Sequence, residues 1–258
     1  MNRDRAQTLV TIPTFNERDS VEQVVTGVLA AVPDADVLVV DDASPDGTGE
    51  LVDALARREP RVHVLHRERK LGLGSAYRTG FAWGLARGYE VFVEMDADLS
   101  HDPASLPEIL RLTTQADLVI GSRYVAGGGT RNWPWHRRAL SRGGNVYVRV
   151  VTGVPVADAT SGYRAFRRSV LETIEVGGLR SEGYSFQLET VLSAWRAGFA
   201  IAEVPITFVE RRHGASKISR RIVLEAVWRV LVWGLVGPRG PVARHPRSVA
   251  EGASAGER

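Results

Sequence analysis

The chain has 258 residues, 44% of them hydrophobic, which is enough to bury the core of one large domain or two small ones. It contains no cysteine, which excludes a disulfide framework and any thiolate metal site. The formal charge of +3 comes almost wholly from arginine, since Lys70 and Lys217 are the only lysines, and guanidinium forks suit phosphate and diphosphate oxygens.

Residues Met1 to Gln7 are polar and do not resemble a cleaved signal peptide, so the expected location is the cytoplasm. Apolar runs then recur at Thr8 to Ile12, Val37 to Val40, Val62 to Leu65, Val91 to Met95 and Leu118 to Ile120. Between them lie helical patterns at Ser20 to Val32, Thr48 to Arg57, Ser75 to Arg87 and Ala104 to Thr113. Such alternation predicts an α/β fold, a mostly parallel sheet with helices on both faces, in which ligands bind beyond the carboxyl ends of the strands. After Gly127-Gly128-Gly129 the pattern loosens to a helix over Arg137 to Val151, a strand near Tyr163 to Phe166, a helix over Phe186 to Arg196 and a strand over Ile201 to Phe208. Residues 218–237 form an apolar helix in which Arg221, Glu225 and Arg229 recur every four positions, so the charges line one face. Its apolar stretch is too short and too charged to span a bilayer, and two placements stay open. It docks on the preceding catalytic domain, residues 1–217, or it lies at a lipid surface with Trp228 and Trp233 at headgroup depth. Residues 238–258 lack periodicity and are expected to be disordered.

Four of the first five strands end in polar or glycine-rich segments that should meet in one cleft. The most informative is Met95-Asp96-Ala97-Asp98-Leu99-Ser100-His101-Asp102-Pro103. Asp102 reads as an N-cap with Pro103 opening the helix, so Asp96 and Asp98 lie in a turn. In a turn, both carboxylates can reach one hard divalent cation that also holds substrate phosphates. Asp41 and Asp42 close the second strand, where a carboxylate can accept from a nucleobase or ribose, while Ser44, Asp46 and Thr48 also suit turn formation and capping. Glu17 suits the positive end of the first helix. The glycines of Lys70-Leu71-Gly72-Leu73-Gly74 do not have dinucleotide-fingerprint spacing, though a turn beside Lys70 could contact phosphate.

In their order, Pro13-Thr14-Phe15-Asn16-Glu17, Asp41 to Thr48, Gly72 to Tyr77, Met95 to His101, Gly121-Ser122-Arg123-Tyr124 and Thr160-Ser161-Gly162-Tyr163 resemble the motifs of inverting family-two glycosyltransferases, most closely the polyprenyl-phosphate mannose synthases. The resemblance covers about residues 8–218 and implies a GT-A fold, a GDP-mannose donor, Mg²⁺ or Mn²⁺, and transfer of mannose to a polyprenyl phosphate. It implies that Pro13, Thr14, Glu17, Asp42, Asp46 and Lys70 serve the nucleotide sugar, and that Asp96 and Asp98 contact metal and diphosphate, with Asp98 central to catalysis. It further implies that Arg123, Arg137 and Ser141 hold the acceptor phosphate and that Arg212 and Lys217 belong to a basic loop over the diphosphate. Ser100 stands where many relatives carry a glutamine that can join the metal shell. Some relatives append transmembrane helices; with none here, peripheral membrane contact is expected through the helix of residues 218–236, through a membrane-embedded partner polypeptide or through the acceptor alone.

An ionised phosphate acceptor needs no general base, so arginines that align it take the place that a carboxylate would hold for a sugar-hydroxyl acceptor. The main alternative is transfer of glucose or an aminosugar from a UDP-sugar, because sugar identity rests on a few pocket contacts. A nucleotidyltransferase is disfavoured, because the chain has no glycine-arginine signature immediately after the first strand. Nucleic acid is not an expected partner, because the acidic strand ends would repel its phosphates unless a metal intervened.

Overall fold

The computed structural model describes residues 7–210 and 220–235. The expected tail at 238–258 lies outside them, as do Arg212 and Lys217. The chain opens with β1 (Thr8–Thr14), α1 (Arg18–Ala31), β2 (Ala35–Asp41), α2 (Thr48–Ala56), β3 (Val62–His66), α3 (Leu73–Arg87) and β4 (Val91–Glu94). The strands are continuous apolar runs because both faces are covered by helices. In α1 the buried residues Val21, Val24, Val25 and Val28 fall on one stripe. In α3 the stripe is built differently: a Cβ on Gly80 would meet Thr11 Cγ2 at 2.5 Å, and one on Gly84 would meet Leu9 and Phe92 at 2.6 Å. These glycines let α3 lie against the sheet at backbone distance.

Then follow a short 3₁₀ turn (Pro103–Ser105), α4 (Leu106–Leu112), β5 (Leu118–Ser122), β6 (Gly129–Arg131), α5 (Trp135–Thr152), β7 (Arg164–Arg167), α6 (Arg168–Thr173), α7 (Tyr184–Arg196), β8 (Ile201–Pro205), β9 (Thr207–Val209) and α8 (Arg220–Leu235). The single helix expected over 104–113 is split because Pro107 has no N–H to give the preceding turn, and it sits instead in the first turn of α4. Asp102 caps the 3₁₀ turn as expected, its Oδ1 accepting from Ala104 N at 3.0 Å. The strand expected over 201–208 is also two. Ile206 donates to Ser122 O and accepts from Gly129 N, so the chain crosses there from one sheet to another.

The main sheet has the order β3-β2-β1-β4-β7-β5-β8, and β6 pairs with β9 in a separate two-stranded ribbon. All neighbours in the main sheet are parallel except at β7, which runs antiparallel to both β4 and β5. The reversal brings the segment before β7 to the edge where the other strands end. Thr160-Ser161-Gly162-Tyr163 thereby reaches the same edge as the Asp96 turn.

Helix α8 docks on α5 and α7, with Val230 buried and Tyr147 Oη donating to Val227 O at 3.1 Å. Trp233 is half-buried against the core and its carbonyl accepts from Arg196. Trp228, by contrast, is 67% exposed.

Candidate active site

Side-chain hydrogen bonds lace the loops beyond β1 and β2 together. Thr14 Oγ1 and Ser44 Oγ donate to Asp41 Oδ1 at 2.9 and 2.6 Å. Asp46 accepts from Thr48 N and Oγ1 and from Arg18 N, and Thr48 Oγ1 in turn accepts from Glu17 N. Burial works against the Asp46 carboxylate, but these hydrogen bonds prevail and lower its pKa. Asp46 thus helps to hold two loops together. Pro13 and Glu17 border the same loops, with Ser20 Oγ donating to Glu17 Oε2 at 3.3 Å.

Asp42 is buried and pairs with Arg67, while its Oδ2 accepts from Leu71 N at 3.2 Å. Arg67 reaches on to Ser75 Oγ and Gly72 O, so one guanidinium ties the end of β2 to the glycine turn before α3. The N–H groups expected to meet phosphate there already face carboxylates, Leu71 N that of Asp42 and Ser75 N that of Glu182. Lys70 Nζ instead sits 3.7 Å from the Phe15 ring centroid, which keeps a cation over the cleft side of β1.

Beyond β4, Asp98 Oδ1 accepts from Ser100 N at 3.0 Å, and Leu99 between them takes φ +63°, a left-handed conformation unusual for a branched side chain. Asp96 N donates to His101 Nδ1 at 3.2 Å, and the His101 ring stacks on Tyr163 at 4.8 Å. These contacts hold Asp96 and Asp98 in one turn, as expected. Beneath it lies Glu94, fully buried; burial pushes its pKa up to about 7 against the pull of Arg164 and the Gln187 amide. Arg164 is itself lowered to about 10 by burial, and its guanidinium donates to Ser161 O, Gln187 O, Ala159 O and Thr190 Oγ1.

Among the described residues no three His, Cys, Asp or Glu side chains cluster to hold a metal. The donor set nevertheless fits a hard divalent cation carried with a diphosphate: two carboxylates on one turn, and a buried Ser100 Oγ with no hydrogen-bond partner among the described residues. Such an ion takes its other oxygens from substrate and water.

The opposite side of the cleft is arginine-rich. Arg123 is buried and donates to Asp158 through Nε and Nη2, both at 2.7 Å, and to Thr160 Oγ1 at 2.8 Å. Burial opposes both charges, yet the pairing lowers the pKa of Asp158 and raises that of Arg123. Asn145 Nδ2, on α5, donates to Thr160 Oγ1 and to Ser141 O. Arg123 is thereby held largely by Asp158. Arg137 sits across Trp133, with Cζ 4.1 Å from the ring centroid, and donates to Glu210 at 2.5 Å. Arg123, Tyr124, Thr130, Arg138 and Arg142 line a cavity of about 480 Å³ between the 123–130 loop and α5.

Asp158, Arg67, Trp133 and Glu210 were not legible as site residues. The only sequence signal was the position of Asp158, two residues before the Thr160-Ser161-Gly162-Tyr163 motif.

An open sheet with a reversed β7, an acidic turn beyond β4 and arginines beyond β5 is the GT-A glycosyltransferase architecture. The chain belongs to glycosyl transferase family 2, whose model matches residues 9–175. It is 52% identical over 237 residues to polyprenol monophosphomannose synthase of Mycolicibacterium smegmatis, covering 91% of this chain and 89% of that protein. It is also 52% identical over 227 residues to undecaprenyl-phosphate mannosyltransferase of Micrococcus luteus, covering 88% and 93%. Glucosyl-3-phosphoglycerate synthase from Mycobacterium tuberculosis shares the fold, with TM-score 0.64 and 20% identity over 92% of this chain and 81% of that one. A mannosyltransferase from Pyrobaculum calidifontis, solved with GDP-Man and Mn²⁺, gives TM-score 0.58 and 20% identity over 92% and 66%.

Proposed function

We propose that this protein transfers mannose from GDP-mannose to a polyprenyl monophosphate with inversion, giving polyprenyl-phosphate mannose and GDP. The observation that supports this most is the pairing of an acidic turn, Asp96 to Ser100, with an arginine-lined acceptor side around Trp133, in a chain half identical to two polyprenyl-phosphate mannosyltransferases.

Asp96, Asp98 and Ser100 would hold the Mg²⁺ or Mn²⁺, which when bound offsets the charge growing on the departing diphosphate. Pro13, Thr14, Glu17, Asp42 and Lys70 border the nucleotide-sugar side. Arg137, with Ser141 behind it, orients the acceptor phosphate, and Arg123 is a positioning residue that holds the 158–160 segment under it. The phosphate oxygen attacks the anomeric carbon from the face opposite the diphosphate, the glycosidic bond electrons leave with GDP, and no proton has to be removed. The chain's task is to align the two anions and exclude water. Arg212 and Lys217, outside the described residues, are assigned to the diphosphate side.

Among the described residues no helix is long and apolar enough to cross a membrane. Peripheral binding at the cytoplasmic face is proposed instead. Helix α5 exposes Trp135, Val146 and Val150 on one stripe flanked by exposed Arg138, Arg142 and Arg149, and α8 beside it exposes Trp228 and Leu235. Aromatic and aliphatic side chains bordered by guanidinium groups suit an anionic lipid surface, with or without a membrane-embedded partner polypeptide.

Incubation with labelled GDP-mannose or UDP-glucose, short polyprenyl phosphates and Mg²⁺ or Mn²⁺, followed by lipid extraction, tests the assignment. Label from GDP-mannose is expected; label from UDP-glucose alone overturns it.

A further inference from the structure

An unbroken row of side chains joins the acidic turn to Arg137. The Tyr163 ring stacks on His101 at 4.8 Å, and His101 meets Phe208 edge to face at 5.5 Å. Phe208 meets Trp133 in the same manner at 5.4 Å, and Arg137 Cζ lies 4.1 Å from the Trp133 ring centroid. Edge-to-face contacts of this kind are favoured by the charge distribution of the rings. One end of the row holds the turn, because His101 Nδ1 accepts from Asp96 N. The other end carries Arg137. Phe208 is the middle ring, and Arg123 Cζ also lies 5.6 Å from its centroid. The strand that bears Phe208 grips the turn a second time: Val209 N donates to Ser100 O at 3.2 Å. The row stands apart from the core. Neither Phe208 nor Trp133 belongs to the two hydrophobic clusters described for the main sheet, and Phe208 is only half-buried. The chain leaves the main sheet at Ile206, and this brings Phe208 between the two sides of the cleft.

We propose that Phe208 is a positioning residue, the spacer that fixes the acidic turn and Arg137 relative to each other and so aligns the acceptor phosphate behind the sugar. This rests on the assignment of Asp96 and Asp98 to metal and diphosphate and of Arg137 to the acceptor phosphate. The leaving diphosphate and the entering phosphate are both anions and repel each other, so their register has to come from the protein. Attack requires the entering oxygen about 3–3.5 Å from the anomeric carbon, and a misplacement of about 1 Å can cost on the order of a hundredfold in rate. With Phe208 in place, the turn and Arg137 are referred to opposite neighbours of one stiff ring. With a smaller side chain, each side settles by itself. Phe208 touches neither substrate in this role, so its loss spares affinity and spoils alignment.

The test compares Phe208→Tyr, Phe208→Leu and Phe208→Ala with the wild type. Single-turnover transfer from GDP-mannose to a short polyprenyl phosphate gives the rate of the chemical step, and steady-state kinetics give the acceptor KM. Calorimetric titration with GDP and Mn²⁺ gives the donor-side affinity and the fraction of protein competent to bind. Phe208→Leu should slow transfer by about tenfold and Phe208→Ala by about a hundredfold, while Phe208→Tyr, which keeps the ring, should stay within about threefold of wild type. Acceptor KM, GDP affinity and binding stoichiometry should hold nearly constant throughout. If Phe208→Ala does not fold, Phe208→Leu carries the test. A rate that falls only in proportion to the GDP-binding stoichiometry makes Phe208 a stability residue and overturns the proposal. An unaltered rate, or a raised acceptor KM with an unaltered rate, overturns it as well. If the wild type itself moves no mannose to the lipid, the proposed function fails, and the spacer role with it.

Discussion

The two sides of the cleft hold charge in opposite ways. On the side proposed for the nucleotide the acids are spread over loops from successive parallel strands, and neighbouring hydroxyls, N–H groups and Arg67 fix them in place. On the side proposed for the acceptor the arginines are paired with acids from distant segments: Asp158 from the stretch before β7, and Glu210 just after β9. Asp41, Asp42 and Asp46 are held by hydrogen bonds between their loops, whereas across the cleft one arginine is buried with its partner and the other has a partly exposed partner.

The comparison can be broken first at the acidic turn. Asp98→Ala should reduce mannose transfer by about a hundred- to a thousandfold, the loss expected when a group acting on the leaving charge is removed. Label transfer to extracted lipid measures it, and retained activity in chelator would sink the metal assignment. The buried arginine offers the next effect. Asp158→Ala strands a buried guanidinium and should cost about 3–5 kcal/mol of stability in denaturant unfolding. The folded pKa of Asp158 is lowered, so this stabilisation should be complete above about pH 4, the unfolded carboxylate range, and be lost as pH falls through the folded value. The difference between wild type and Asp158→Ala should accordingly shrink in acid.

The arginine with the partly exposed partner should behave otherwise. Arg137→Ala should change stability by less than about 1 kcal/mol, as for a partly exposed pair, yet raise acceptor KM severalfold or more. A large stability loss with unchanged acceptor KM would make the two arginines alike and erase the contrast. Smallest is the surface term: Arg142→Gln alone should weaken binding to phosphatidylglycerol vesicles by at most about 1 kcal/mol at low salt and have little effect on phosphatidylcholine vesicles, as read by flotation.

Much of the frame was legible because it is local. Apolar runs and turn residues at successive strand ends located β1 to β5, the Asp96 to Ser100 turn and the Asp102 cap without any distant contact. The glycine-rich start of α3 was legible as a turn, but the carboxylates of Asp42 and Glu182 that occupy its N–H groups were not, because Glu182 is more than a hundred residues away. The spacing of Gly80 and Gly84 marks one helix face, but only the sheet shows that Thr11, Leu9 and Phe92 need the room.

The sequence by itself determined which residue types end each strand, and hence that acids and arginines are available at one edge of an α/β sheet. Backbone periodicity and turn chemistry are short-range and survive without tertiary context. Only the tertiary structure decided which of those charges are already paired. The antiparallel β7 carries Asp158 and Thr160 to Arg123, and the break of the last sheet strand at Ile206 carries Glu210 to Arg137. Pair formation depends on strand order and burial, which separate one arginine bound in the interior from another whose partner is partly exposed.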